Sequence, residues 1–125
     1  MTQRFYTPEE RIAHAEAMKA RTKQLALRVV RLLQNLPKTE EAKIMGRQLL
    51  RSATSVAANY RAVCRARSKA ELYAKLSICV EEADETLFWL ELLRETQIIN
   101  PARTGELENE AEEILSVLAR ARKNS

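Results

Sequence analysis

The chain has 125 residues, 46% of them apolar and 30% charged, with only 2 Gly and 3 Pro. That length fits one domain over 1–125, able to bury roughly two-thirds of its unfolded surface in one core without disulfide staples. Few breakers, few aromatics and much Ala, Leu, Glu and Arg favour long helices, and the +4 balance of 21 Lys+Arg over 17 Asp+Glu permits attraction to nucleic acid without requiring it.

The start, Met1-Thr2-Gln3-Arg4-Phe5, lacks the apolar run of a signal peptide. Thr7-Pro8-Glu9-Glu10 then opens a first helix, over 8–35: Thr7 caps, Pro8 suits the first helical position and Glu10 completes a capping box. Leu25, Val29, Leu32 and Leu36 recur at helical spacing. Before Leu25 the pattern is weak, with Ile12, Ala15 and Met18 alone, so the first turns are expected to fray or project. Pro37 ends the helix by pushing Leu36 out of helical geometry.

Thr39, followed by Glu40 and Glu41, caps a second helix over 40–66. Its apolar residues Met45, Leu49, Ala53, Val56, Tyr60 and Val63 fall within about 80° of one another on a helical wheel. Ser68 and Glu71 form a second capping box for a third helix over 69–97, which aligns Leu72, Leu76, Cys79, Ala83, Leu87, Leu90 and Leu93. Ile98-Ile99-Asn100-Pro101 stops it, and Thr104 is expected to cap a fourth helix over 105–122 through Leu107, Ala111, Ile114, Leu115 and Leu118. Its tail, Arg120-Ala121-Arg122-Lys123, suits a helix C-terminus. Short connections between helices favour antiparallel neighbours, hence an all-α, up-down-up-down four-helix bundle. No stretch approaches the ~20 apolar residues of a membrane span, so a membrane partner is not expected.

Chemistry finds little support in these residues. The only histidine, His14, has Ala13, Ala15 and Ala17 as neighbours and reads as a solvated surface group. The carboxylate cluster Glu81-Glu82-Ala83-Asp84-Glu85 has no imidazole beside it, which argues against a di-metal centre. Gly46 and Gly105 stand alone, so no phosphate-cradling loop exists. Counting from the turn puts Cys64 and Cys79 roughly 12 Å out of level, beyond the ~7 Å between Cα atoms that a disulfide tolerates. Both thiols read as small core residues in a reducing cytoplasm. No enzyme activity, metal, cofactor or small-molecule substrate is expected.

Two surfaces exceed a bland solvated exterior. Opposite the core stripe of the second helix, Arg47, Arg51, Thr54, Ala58, Arg61 and Arg65 lie within about 80° of one another, and Arg67 and Lys69 carry the charge through the turn. One reading is a stripe contacting the phosphates of RNA or DNA. Another is a solvated face, and a third pairs Arg51 with Asp84 or Glu85, which counting from the turn places level with it. On the third helix, Ile78, Trp89 and Leu92 lie opposite the leucine stripe, with Glu82 and Glu85 among them. A helix apolar on two sides must bury both. Either the fourth helix covers this face or a second subunit does, with Trp89 as anchor. Ser55, Ala58 and Ala62 on the second helix are small enough to let a neighbouring helix approach.

Leu36-Pro37-Lys38-Thr39, Gly46 through Arg61 (GRQLLRSATSVAANYR), Lys75-Leu76-Ser77, Glu82-Ala83-Asp84-Glu85-Thr86 and Trp89-Leu90-Glu91-Leu92-Leu93 resemble, in that order, the signature of a bacterial family. Its members are encoded in intervening sequences of 23S ribosomal RNA genes and are also called S23-like. The resemblance implies a four-helix bundle that assembles into a homopentamer, with no catalytic residues. It also implies a distant kinship to accessory proteins of diversity-generating retroelements, which form basic pentameric barrels binding nucleic acid and a reverse transcriptase. The expectation is therefore a non-enzymatic homo-oligomer contacting RNA or DNA phosphates. The alternative is a protein–protein adaptor whose arginines serve structural ion pairs.

Overall fold

Each helix begins where a side chain satisfies backbone N–H groups that helix geometry leaves unpaired. In the computed structural model, which describes residues 7–125, the helices are α1 (Pro8–Leu33), α2 (Glu40–Val63), α3 (Lys69–Glu95) and α4 (Pro101–Lys123). Met1–Phe5, where the sequence shows no apolar run, lie outside the described residues. Thr7 Oγ1 accepts from Glu10 N at 3.1 Å while Glu10 accepts from Thr7 N, a closed capping box. Thr39 and Ser68 cap α2 and α3 in the same way. At Ser68 the return arm of the expected box is not made, because Glu71 turns to Arg67 at 3.8 Å.

The fourth helix starts earlier than its expected Thr104 cap. Asn100 Oδ1 accepts from Ala102 N at 2.9 Å, and Pro101 occupies the first turn. Proline stops one helix, but its fixed φ and missing N–H also suit the start of the next. Thr104 lies fully buried inside α4, with its hydroxyl donating to Pro101 O. The other helix ends fall within two residues of the expected spans, save α2, which stops at Val63, three short of 66.

Consecutive helices pack along their lengths, and α1 meets α4 much more thinly. Together they form an antiparallel, up-down-up-down bundle around one core. Leu25, Val29, Leu49, Val56, Leu90, Leu93, Ile114 and Leu118 fill its centre at 1% exposure or less. Four hydroxyls are buried with them, on Thr22, Ser52, Thr86 and Thr104. All four are hydrogen-bonded, so the core pays no penalty for unsatisfied groups. Burial in α1 begins at Met18, and Ile12 is 64% exposed, in keeping with the weak pattern of the first turns.

The thin α1–α4 seam is bridged by charge. Arg21 Nε and Nη2 donate to the two carboxylate oxygens of Glu110 at 2.7 Å each, and Arg28 reaches Glu106 at 4.0 Å. The bidentate arrangement raises the Arg21 pKa and holds the Glu110 carboxyl below the usual carboxylate range. No helix is long and apolar enough to cross a membrane among the described residues.

Candidate nucleic-acid interface

The connection from α2 to α3 is short and polar. The amides of Arg65 and Ala66 bond back to Ala62 O and Val63 O at 3.1 Å, tightening the last turn of α2. Ser68 then starts α3 at once. This compact reversal brings the end of α2 beside the start of α3. Ala58, Arg61, Ala62, Arg65, Arg67, Glu71 and Lys75 line a shallow, open groove of about 590 Å³ there. Two alanines form part of its lining, so no bulky side chain there obstructs the guanidinium groups.

The arginines of the stripe expected on α2 are exposed along its whole length, but only some of them gather. Arg61, Arg65 and Arg67 converge at the groove. Arg47 lies about 21 Å back along the helix from Arg61 at 1.5 Å per residue. Lys69 is exposed at the first position of α3 and does not line the groove. Arg51 is engaged elsewhere: Nη1 donates to Glu82 Oε2 at 2.9 Å and Nη2 donates to Glu85 Oε2. Asp84, one of its two expected partners, is exposed instead. Residues 82 and 85 share the flank of α3 that faces α2, whereas 84 is turned roughly 100° or more away.

The groove also contains a cation that the stripe on α2 alone did not suggest. Lys75 belongs to α3, and its signal was available: counting outward from the turn sets it level with Tyr60, next to Arg61. Among the described residues neither Arg61, Arg65 nor Lys75 has a carboxylate within 4.0 Å. Arg67, 88% exposed at its side chain, has only the 3.8 Å contact to Glu71. The partial positive charge of the α3 N-terminus is offset there by the C-terminus of α2, so the side chains carry the net charge of this end.

The second face of α3 borders the groove. Ile78 is 43% exposed, and Trp89 and Leu92 are half-buried. Trp89 Nε1 donates to Glu85 Oε1 at 3.3 Å, and its ring meets that of Phe88 edge-on at 4.9 Å. Hydrogen bonds from Arg51 set α2 on this flank. Arg94 Nε, donating to Glu108 at 3.0 Å, sets α4 on the other, so α4 is not what borders Ile78 and Trp89. Ser55 is half-buried, with Asn59 Nδ2 donating to its carbonyl and its hydroxyl at 2.9 Å each. Phe88, 53% exposed, went unnoticed in the sequence because it falls on neither stripe of α3.

The ionisable groups here are fixed charges. Hydrogen bonding from Arg51 holds the Glu85 carboxyl below the usual carboxylate range, and Glu85 raises the Arg51 pKa in return. Cys79, fully buried as expected, has its thiol pushed up to about 12 by burial. Cys64 is exposed, contrary to expectation. It caps the C-terminus of α2, where the chain is already leaving the core. Desolvation still raises its pKa, so neither thiol is poised as a nucleophile. Among the described residues no group of His, Cys, Asp and Glu could hold a metal ion. His14 is exposed.

An all-α antiparallel bundle with unpaired cations gathered at one end is the class of protein that the fold and groove define. A family model for the 23S rRNA-intervening sequence protein matches residues 16–120, and the chain belongs to that family. A crystal structure of a protein with unknown function from the S23 ribosomal protein family of Bacteroides thetaiotaomicron is similar to it. The two are 35% identical with a TM-score of 0.79, over 87% of this chain and 97% of that one. No curated protein matches.

Proposed function

We propose that this protein is a non-catalytic, homo-oligomeric bundle that binds RNA or DNA through phosphate contacts, with Arg61, Arg65, Arg67 and Lys75 as the contacting residues. The supporting observation is the groove itself: four cations converge on it against one carboxylate. Cations without partners can exchange counterions for phosphates, which drives sequence-independent affinity. No aromatic side chain lines the groove, so the contacts go to the backbone rather than to stacked bases. Binding of a structured RNA, followed by fluorescence anisotropy at several salt concentrations, tests this. The Arg61→Ala/Arg65→Ala/Lys75→Ala variant is expected to bind more weakly, with a salt slope shallower by about 0.9 for each duplex phosphate that it no longer neutralises. Equal affinity for the two proteins would sink the reading.

The Arg51 hydrogen bonds favour a second reading, an assembly scaffold or adaptor. Arg51 is tied to Glu82 and Glu85 beside an exposed Ile78 and a half-buried Trp89. Self-association through Ser55, Ala58, Ala62, Ile78, Trp89 and Leu92 would cover that face. Light scattering should give a mass above that of one 14.3 kDa chain, reduced by Trp89→Ala. A monomeric wild type removes the oligomer from both readings.

A further inference from the structure

The antiparallel topology brings the end of α2, the start of α3 and the end of α4 to one end of the bundle, together with the start of α1, which carries Glu9 and Glu10 in its first turn. Residues 61–75 carry Arg61, Arg65, Arg67, Lys69 and Lys75 with Glu71 as the only acid, and residues 118–125 carry Arg120, Arg122 and Lys123 with none. Among the described residues none of Lys69, Arg120, Arg122 and Lys123 has a carboxylate within 4.0 Å. Arg21, Arg28, Arg51 and Arg94, by contrast, each reach an acid on another helix.

The positions of these cations follow from the same interhelix pairs. Lys75 lies about two turns before Glu82, hence on the flank of α3 that meets α2. Lys69 lies about seven turns before Arg94, hence on the flank that meets α4. Arg122 lies about four turns beyond Glu108, Arg94's partner, hence on the flank of α4 that meets α3. The cations therefore form a band that leaves the α2–α3 groove, passes over the turn at Arg67, continues at Lys69 and reaches the α4 tail.

We propose that the α4 tail, Arg120, Arg122 and Lys123, together with Lys69, is a second limb of the phosphate-binding surface, and that its ligand is a nucleic-acid strand long enough for its phosphate backbone to cross the end of α3. This rests on the function proposed above and adds the ligand's length and path. The band spans at least the width of a helix, about 10 Å, so one phosphate group cannot occupy both limbs. The competing role for the tail is to offset the negative end of the α4 dipole, which would act on stability and leave binding unchanged.

The test uses the full chain as wild type, as the groove variant above, and as an Arg120→Gln/Arg122→Gln/Lys123→Gln tail variant, each checked by thermal melting. The probes are inorganic phosphate and single-stranded RNAs of about 2 and about 20 nucleotides. On the longer strand the tail variant is expected to lose up to about 2 from the salt slope, at about 0.7 per neutralised phosphate. On phosphate and on the dinucleotide, with its one internucleotide phosphate, it should match wild type, while the groove variant weakens on both strands. An unchanged slope for the tail variant on the longer strand overturns the second limb but leaves the groove reading intact. Equal losses on both strands also overturn it, because they show no dependence on reach. Absence of binding by wild type overturns both readings. Should the tail variant melt early, acetylation of wild type read by mass spectrometry replaces it. Lys69, Lys75 and Lys123 should all be protected by the longer strand, and Lys123 left reactive while Lys75 is protected defeats the proposal.

Discussion

Thr86 of α3 donates its hydroxyl proton to Ser52 Oγ of α2 at 3.0 Å in the core, and Ser52 donates its own to Leu49 O at 3.1 Å. Leucine stripes can slide past one another by a turn at modest cost, but a buried polar pair cannot without losing its partner. This contact therefore fixes the axial register of α2 against α3, and with it the placing of Lys75 in the groove with Arg61. Glu82 O at 2.8 Å offers Thr86 an alternative acceptor. Ser52→Ala is thus expected to cost only about 1 kcal/mol, with a coupling to Thr86→Val of about 0.5–1 kcal/mol. A double-mutant cycle in urea measures it; strictly additive losses would mean that the hydroxyls do not cooperate.

At Gly46 an added Cβ would come within 2.5 Å of Leu36 Cδ1. That atom is the free end of a side chain in the α1–α2 loop and can rotate away. Alanine also gains about 1 kcal/mol of helix propensity over glycine. Gly46→Ala is therefore expected to lie within about 1 kcal/mol of wild type, whereas Gly46→Val, branched at Cβ, should lose about 2 kcal/mol by overpacking. Urea unfolding midpoints of the two variants separate these outcomes.

Gln97 follows the end of α3 with a φ of 61°, a left-handed conformation in which its Cβ crowds the backbone. It is held there because Ile99, buried beyond it, donates its N–H back to Leu93 O at 3.2 Å. Glycine takes this geometry without that crowding, at the cost of a more flexible unfolded chain. The expected net gain for Gln97→Gly is about 0.5 kcal/mol, a rise of a few degrees in Tm by thermal circular dichroism.

The depressed pKa values of Glu110 and Glu85 make stability pH-dependent. A carboxyl that loses its proton more readily when folded stabilises the native state above its unfolded pKa. That contribution disappears as pH falls through the lower folded value. Arg21→Gln is therefore expected to cost about 1 kcal/mol at neutral pH and progressively less as pH falls through the lowered folded value of the Glu110 carboxyl. Urea midpoints against pH should converge for the two proteins on the acid side; a constant gap would exclude the Arg21–Glu110 pair as the cause.

Helix positions and the core were largely legible because they depend on local chemistry. Thr7, Thr39 and Ser68 carry hydroxyls that can reach unpaired amides, and the leucine stripes repeat at the helical period. The start of α4 was misplaced because proline ends and begins helices by the same restriction on φ, and sequence alone did not say which of Asn100 and Thr104 would cap. Cys64 was assigned to the core with Cys79 once their levels excluded a disulfide, although the end of α2 had already turned it outward. The arginine stripe was visible as a pattern, but whether each guanidinium is free depends on another helix. Register on α3 decided that Glu82 rather than Asp84 shares Arg51, and that Lys75 joins the groove.

The uneven placement of charge also acts before any contact. Arg61, Arg65, Arg67, Lys69, Lys75, Arg120, Arg122 and Lys123 outnumber Glu9, Glu10 and Glu71 at one end of the bundle, so that end carries a positive field along the molecular axis. Near a polyanion that field exerts a torque, so encounters are oriented with the α2–α3 turn leading. The bias is confined to about 8 Å, the screening length at physiological salt.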